Sequence, residues 1–144
     1  MEARTLDELP AWAAEVIGQA RVARLGYLDE ADRPRVLPVT YAVQGGAIWS
    51  AIDRKPKRTA EPARLRFLRR RPEAALTVDH YDDDWTKLAW VQVLGRVEMR
   101  SVGEAPEALA ALTRKYGPYQ AEPPPGPLLR LAPERVLYWR AAAG

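Results

Sequence analysis

The residues that stop and reverse this chain constrain it most. Asp29-Glu30-Ala31-Asp32-Arg33-Pro34, Gln44-Gly45-Gly46, Pro72 and Asp82-Asp83-Asp84 break the chain at points that bound several runs short enough for strands. Val22 to Leu28 alternates like a strand, and Arg35 to Val43 reads as its hairpin partner with Pro38 inside it. A proline there belongs at an edge, at a bulge, or where the backbone pairs with something other than a strand. Ala47 to Ile52, Ala74 to Tyr81 and Leu88 to Met99 follow, the last interrupted by Gly95, where a bulge is expected. Arg135 to Ala141 alternates again, and Arg130 and Leu131 begin a further short strand.

Helical spacing is confined to three places. Thr5-Leu6-Asp7-Glu8 has capping-box spacing, and Leu6, Leu9, Ala13, Val16, Ile17 and Ala20 recur at helical intervals. Pro10 suits a first helical position better than an interior one, so the helix is expected to start there, after a separate turn. Pro62 opens a second helix with Leu65 and Leu68 inward, and Pro72 ends it; Ala105 to Tyr116 forms a third, with Leu109 and Leu112 inward. Pro118 to Pro127 reads as a stiff connection over the surface. About six or seven short strands at hairpin spacing with three helices do not make a doubly wound sheet; they make a mainly β, antiparallel barrel with flanking helices. With 144 residues and no internal repeat, one domain over 1–144 is expected.

Charge is distributed unevenly. Residues 54 to 71 hold nine of the 22 basic side chains against one acid, Glu61, so a net charge of +3 hides a basic window in an otherwise acidic chain. The window starts where the Ala47 to Ile52 strand ends and runs into a helix start. That is a suitable place to receive a phosphate or carboxylate cluster. A solvated basic helix face is the simpler alternative.

Several chemistries are excluded or disfavoured. There are no cysteines, which removes disulfides, thiolate metal sites and a cysteine nucleophile. With one histidine, His80, and an Asp82-Asp83-Asp84 turn lacking the glycine and terminal glutamate of a calcium loop, no metal site is expected. Ser50, Ser101 and the threonines have no base arranged beside them, and no catalytic triad is expected. The N-terminus lacks an apolar signal region and no apolar run approaches about 18 residues, so the expectation is a cytoplasmic protein without membrane attachment.

Taken in order, Pro34 to Tyr41, Ser50-Ala51-Ile52-Asp53-Arg54-Lys55-Pro56-Lys57-Arg58, Val78 to Trp85 and Gly95-Arg96-Val97 resemble the pyridoxamine 5′-phosphate oxidase-like FMN-binding split barrels. The branch resembled most is that of actinobacterial deazaflavin (coenzyme F420)-dependent oxidoreductases. The resemblance implies a homodimeric split barrel with cofactor sites at the subunit interface, coenzyme F420 as cofactor with FMN as alternative, and a small-molecule substrate. By position, it implies that Pro38, Val39 and Thr40 meet the ring, that Trp49, Ser50 and Ala51 continue the contact, and that Lys55, Lys57 and Arg58 meet the phosphate. An alignment anchored on Leu68 and Pro72 puts Arg64 in the phosphate role instead. Trp90 falls where flavin-binding relatives have a polar ring contact. A hydride carrier brings its own chemistry, which agrees with the missing catalytic residues.

Readings of other classes remain. A FMN-binding pyridoxamine phosphate oxidase-like enzyme or flavin reductase keeps the same pocket, and a non-enzymatic carrier of flavin, haem or tetrapyrrole would use it without turnover. A basic helix on a small barrel is also an electrostatic footprint for nucleic acid. Against that, the rest of the chain is net acidic and Phe67 is the one aromatic residue interleaved with the basic window, so no nucleic-acid partner is expected.

Overall fold

The computed structural model describes residues 1–52 and 62–142. Among the described residues there are eight strands, β1 (Glu2–Ala3), β2 (Ala23–Leu28), β3 (Pro34–Val39), β4 (Ala42–Gln44), β5 (Ala47–Ala51), β6 (Glu73–His80), β7 (Ala89–Arg100) and β8 (Leu128–Arg140). Four helices accompany them, α1 (Ala11–Gln19), α2 (Ala63–Arg70), α3 (Pro106–Lys115) and α4 (Gly117–Ala121). The strands form one sheet in the order β3-β2-β6-β7-β8-β5-β4, with β1 added to β8. Every pairing is antiparallel.

The path starts at β3 and ends at β4, yet in sequence only Thr40 and Tyr41 separate these two strands. The sheet therefore curls until its ends meet, and the chain itself crosses the seam. This is a split barrel, mainly antiparallel β with flanking helices, as the turn spacing predicted. The predicted Arg35–Val43 strand is divided at that seam, because the two halves belong to opposite ends of the sheet. Pro38 lies on β3, an edge strand, where its missing N–H costs no ladder bond.

Alternation decides what fills the barrel. On β2, β6 and β7 every second residue is buried, which brings Leu25, Leu76, Val78, Val91 and Val93 together. α1 adds Ala13 and Ile17, and α2 adds Leu65 and Leu68. β5 is buried along its whole length. Ile48 faces this aliphatic core, whereas Trp49 and Ala51 face a smaller one built with α3 from Ala108, Ala111, Leu112 and Tyr116. Burying one large aliphatic side chain stabilises the fold by about 1.5–3 kcal/mol, so these positions carry most of the stability.

Turn chemistry explains the joints. Gly45 and Gly46 both have positive φ, 61° and 74°, as a tight hairpin between β4 and β5 requires. Opposite Gly95 the β7–β8 register shifts, with Leu94 facing Arg135 and Gly95 facing Pro133, so Glu134 is the extra residue of a bulge. A Cβ on Gly95 would sit 2.0 Å from the Ala132 carbonyl oxygen, so no other residue fits. The bulge was expected on β7 and lies on its partner. It carries Pro133 through a strand that the sequence divides in two, and β8 runs unbroken from Leu128 to Arg140.

Other differences are local. Thr5 and Glu8 form the capping box, but around a single 3₁₀ turn over Leu6–Glu8, and α1 starts at Ala11 with Pro10 as its N-cap. Within 118–127, expected to hold no helix, α4 forms because Pro118 falls in its first turn, where no N–H is needed.

Candidate functional site

A cleft of about 140 Å³ opens at the seam, lined by Val22, Pro38, Val39, Thr40, Ala51 and Arg64. Of the residues expected to hold a cofactor, Pro38, Val39, Thr40, Ala51 and Arg64 thus share one cavity. β3 and the seam supply the first three, the end of β5 supplies Ala51, and the first turn of α2 supplies Arg64. Ser50, 5% exposed, lies behind the wall, and its hydroxyl donates to the Thr40 carbonyl at 2.7 Å. Lys55, Lys57 and Arg58 lie outside the described residues. Trp90 lies elsewhere, on the outer face of β7, in register with Trp139 on one side and Asp79 on the other. Trp49 points into the smaller core, its indole N–H bonded to the Gln44 carbonyl at 3.0 Å.

Arg64 is the electrostatic feature of the cleft. Leu65 and Leu68 anchor α2 to the barrel, which holds Arg64 at the cavity wall. Its Nε is buried and has no hydrogen-bond partner among the described residues. A buried charged donor left unpaired is costly, and an anionic group in the cleft would relieve that cost. Two arginines at the end of α2 have other work. Arg70 and Arg71 reach Asp32 at 3.3 and 2.9 Å, and Arg70 also donates to the Asp29 carbonyl, so both bind the β2–β3 turn. Their charge holds Asp32 below the usual carboxylate range, with the Arg71 hydrogen bond contributing most.

Behind the seam lies a cluster that the sequence did not reveal. Tyr41 is fully buried, and its phenol donates to the Ile17 carbonyl. The Lys115 ammonium sits 3.8 Å from the centre of the Tyr41 ring and 5.5 Å from that of Tyr116, with no hydrogen-bond partner among the described residues. Burial, with a smaller contribution from the charge of Arg21, pushes Lys115 down to about 8. Burial also pushes the phenols of Tyr41 and Tyr116 up. No motif announces this cluster, because its members come from three separate stretches of chain, around Ile17–Arg21, Tyr41 and Lys115–Tyr116, and meet only when the barrel closes.

A second cleft, about 450 Å³, lies between α1 and the end of β6, lined by Trp12, Glu15, Gln19, Asp79 and His80 among others. Among the described residues, none of those expected to hold a cofactor lines it. Among the described residues no group of three or more histidine, cysteine or acidic side chains is placed to hold a metal ion, and no helix is long and apolar enough to cross a membrane.

A split barrel with a cationic cleft at its seam defines a class of cofactor-binding proteins. The chain belongs to the pyridoxamine 5′-phosphate oxidase family, whose model matches residues 11–138; members of this family bind flavins. No curated protein matches the sequence. Among solved structures, a conserved hypothetical protein from Mycobacterium tuberculosis is similar with a TM-score of 0.70 at 22% identity, covering 92% of this chain and 84% of that one. A FAD-binding protein from Mesorhizobium loti gives 0.66 at 20% identity, covering 90% and 94%. A heme binding protein from Mycobacterium smegmatis gives 0.74 at 20% identity over 94% of this chain but 57% of that one. At such identities the likeness is one of fold.

Proposed function

We propose that this protein is an oxidoreductase that holds a phosphorylated flavin-type cofactor in the seam cleft and passes a hydride between it and a small organic substrate. Coenzyme F420 is the proposed carrier, with FMN as the alternative. The observation that carries the reading is Arg64, a half-buried arginine whose buried Nε has no partner among the described residues, on the same cavity as Pro38, Val39 and Thr40. When bound, the cofactor supplies the hydride chemistry, so the chain need only hold a flat ring, neutralise an anionic tail and exclude water. Lys55, Lys57 and Arg58 are proposed to complete the phosphate contact. The choice of F420 rests on the resemblance, by which Trp90 falls where flavin-binding members have a polar ring contact, and on the many arginines of the basic window. A haem would find no imidazole at the seam, since the one histidine, His80, lines the other cleft.

The cleft is proposed to be completed by a second copy of the chain. Its roughly 140 Å³ falls short of the ~300–1,000 Å³ typical of pockets that enclose a small organic ligand, so further walls are needed. An apolar groove crosses the outer face of β2, β3, β6 and β7, past Gly26, Val36, Ala75 and Leu94. Val36 is 67% exposed and Trp139 41%. Apolar surface of this kind marks an interface, and pairing across it would give Trp90 a place beside a partner's cofactor. Sedimentation showing only monomer at micromolar concentration contradicts this arrangement.

Absorption spectra of the purified protein, followed by titration with F420 and with FMN, test the cofactor. Tighter F420 binding is expected. Stoichiometric FMN in the purified protein with no response to F420 would overturn the choice of carrier and leave the fold untouched. A charge-assisted hydrogen bond is worth about 1.5–3 kcal/mol, so Lys57→Ala is expected to weaken cofactor binding about 10- to 100-fold. Unchanged affinity would remove that residue from the site.

A further inference from the structure

We propose that Tyr116 is a positioning residue for the cofactor cleft, its hydroxyl acting as the clasp of the barrel seam. This rests on the cofactor reading above and names what holds that site in shape.

The seam poses a hydrogen-bonding problem. Thr40 and Tyr41 lie between β3 and β4 and belong to neither, so no ladder serves their backbone, while Tyr41 is fully buried. Buried backbone groups must find partners. Two hydroxyls supply them. The Ser50 Oγ donates to the Thr40 carbonyl at 2.7 Å. The Tyr116 oxygen accepts from the Tyr41 N–H at 3.1 Å. Its single proton lies between the Tyr41 carbonyl at 3.0 Å and the Arg21 carbonyl at 2.9 Å. The Tyr119 hydroxyl and Thr40 Oγ1 share a further hydrogen bond of 2.8 Å.

The Tyr116 oxygen thereby joins two walls of the cleft. Arg21 precedes Val22, and Tyr41 follows Thr40; Val22 and Thr40 both line the cavity. One phenol oxygen fixes the spacing between these segments, and Tyr119 turns the Thr40 side chain. Tyr116 is itself held firmly. It follows the last turn of α3, its ring meets Tyr119 edge-on at 5.7 Å between centres, and the Arg21 guanidinium lies 4.8 Å from its ring centre. Arg21 also donates to the Lys115 carbonyl at 2.6 Å. Burial pushes the phenol up, so it stays protonated at neutral pH and keeps donating. The shape of the cleft is therefore set by α3, an element that supplies none of its walls. A core-filling role would need only the ring.

Tyr116→Phe keeps the ring and removes the oxygen. Amide hydrogen exchange of the cofactor-free protein, read residue by residue, is the first measurement, and titration with FMN and with F420 is the second. Exchange at the Tyr41 amide should rise about tenfold relative to the β7–β8 amides, and the cofactor Kd should rise about tenfold, matching one buried polar group left unpaired. Val136→Ala, a core change remote from the cleft, should lower stability and leave cofactor affinity in place. Tyr119→Phe, which spares the seam backbone, should weaken binding only about two- to threefold and serves if Tyr116→Phe fails to fold. Unchanged relative protection at Tyr41, or equal losses of affinity in Tyr116→Phe and Val136→Ala, overturns the clasp. Failure of the wild-type protein to bind either cofactor refutes the cofactor reading and with it the role of Tyr116 toward that ligand. Intact binding with unchanged Tyr41 exchange refutes the clasp alone.

Discussion

The β7–β8 ladder and the seam at Thr40–Tyr41 hold the same barrel together in opposite ways. Along the ladder every residue of β7 has a register partner on β8, and the backbone satisfies itself. At the seam the backbone is satisfied by the side chains of Ser50 and Tyr116. A ladder tolerates side-chain change as long as the main chain can approach, whereas a seam depends on individual hydroxyls. The proposed cofactor site lies at the seam, beside β3, an edge strand of the sheet.

This contrast is sharpest where the main chain itself is challenged. Gly95→Val, whose Cβ would meet the Ala132 carbonyl at 2.0 Å, is expected to cost ~3 kcal/mol or more, at the upper end of overpacking. A denaturant midpoint close to that of the wild-type protein would show that the bulge can move aside.

A smaller effect is expected from the cation behind the seam, and it depends on pH. Lys115, with an ordinary value of 10.5, titrates near 8 in the folded chain because of burial. Between about pH 8 and pH 10 the unfolded chain holds a proton that the folded chain has released, so stability rises with pH across that window. Below about 8 both states are protonated and the penalty of burying the ammonium is fully present. Tyr41 acts in the other direction: burial raises its phenol, so above about pH 10 the unfolded chain loses a proton that the folded one keeps, and stability falls. Thermal melts from pH 7 to 11 should show the rise and the fall. Lys115→Met should remove the rise alone, and a rise that survives in that variant would assign it to another group.

The smallest effect should come from the ladder's surface. Arg96 and Glu73, facing each other across β6 and β7 at 2.9 Å, are both about half exposed. Arg96→Ala is expected to change stability by less than ~1 kcal/mol, measured by urea titration, because exposed pairs are screened and entropically costly. A larger loss would show that the ladder also leans on side chains.

What the sequence made legible follows from the range of each interaction. Gly45-Gly46, Pro72 and Gly95 announce turns, a helix end and a bulge through the local backbone, and alternation on β2, β6 and β7 shows the barrel's inner face. β1 was missed because two residues carry no pattern and owe their place to distant β8. α4 is not legible because the prolines of 118–127 argue against a helix interior, whereas Pro118 can begin one. The site was legible in part. Pro38 in a strand and the basic window pointed toward the cleft, and Arg64 is found there. The clasp was not legible, since Tyr41 and Tyr116 stand 75 residues apart and meet only when the sheet closes.

Chemical-shift mapping on isotopically labelled protein, titrated with F420 and separately with FMN, tests most directly whether the cofactor occupies the seam. The account predicts that the amides of Val22, Val39, Thr40, Tyr41 and Ala51 shift at stoichiometric ligand, while those of Trp12, Gln19 and His80 around the other cleft stay in place. Shifts concentrated at Trp12, Gln19 and His80, with Val39 to Tyr41 unmoved, would contradict it.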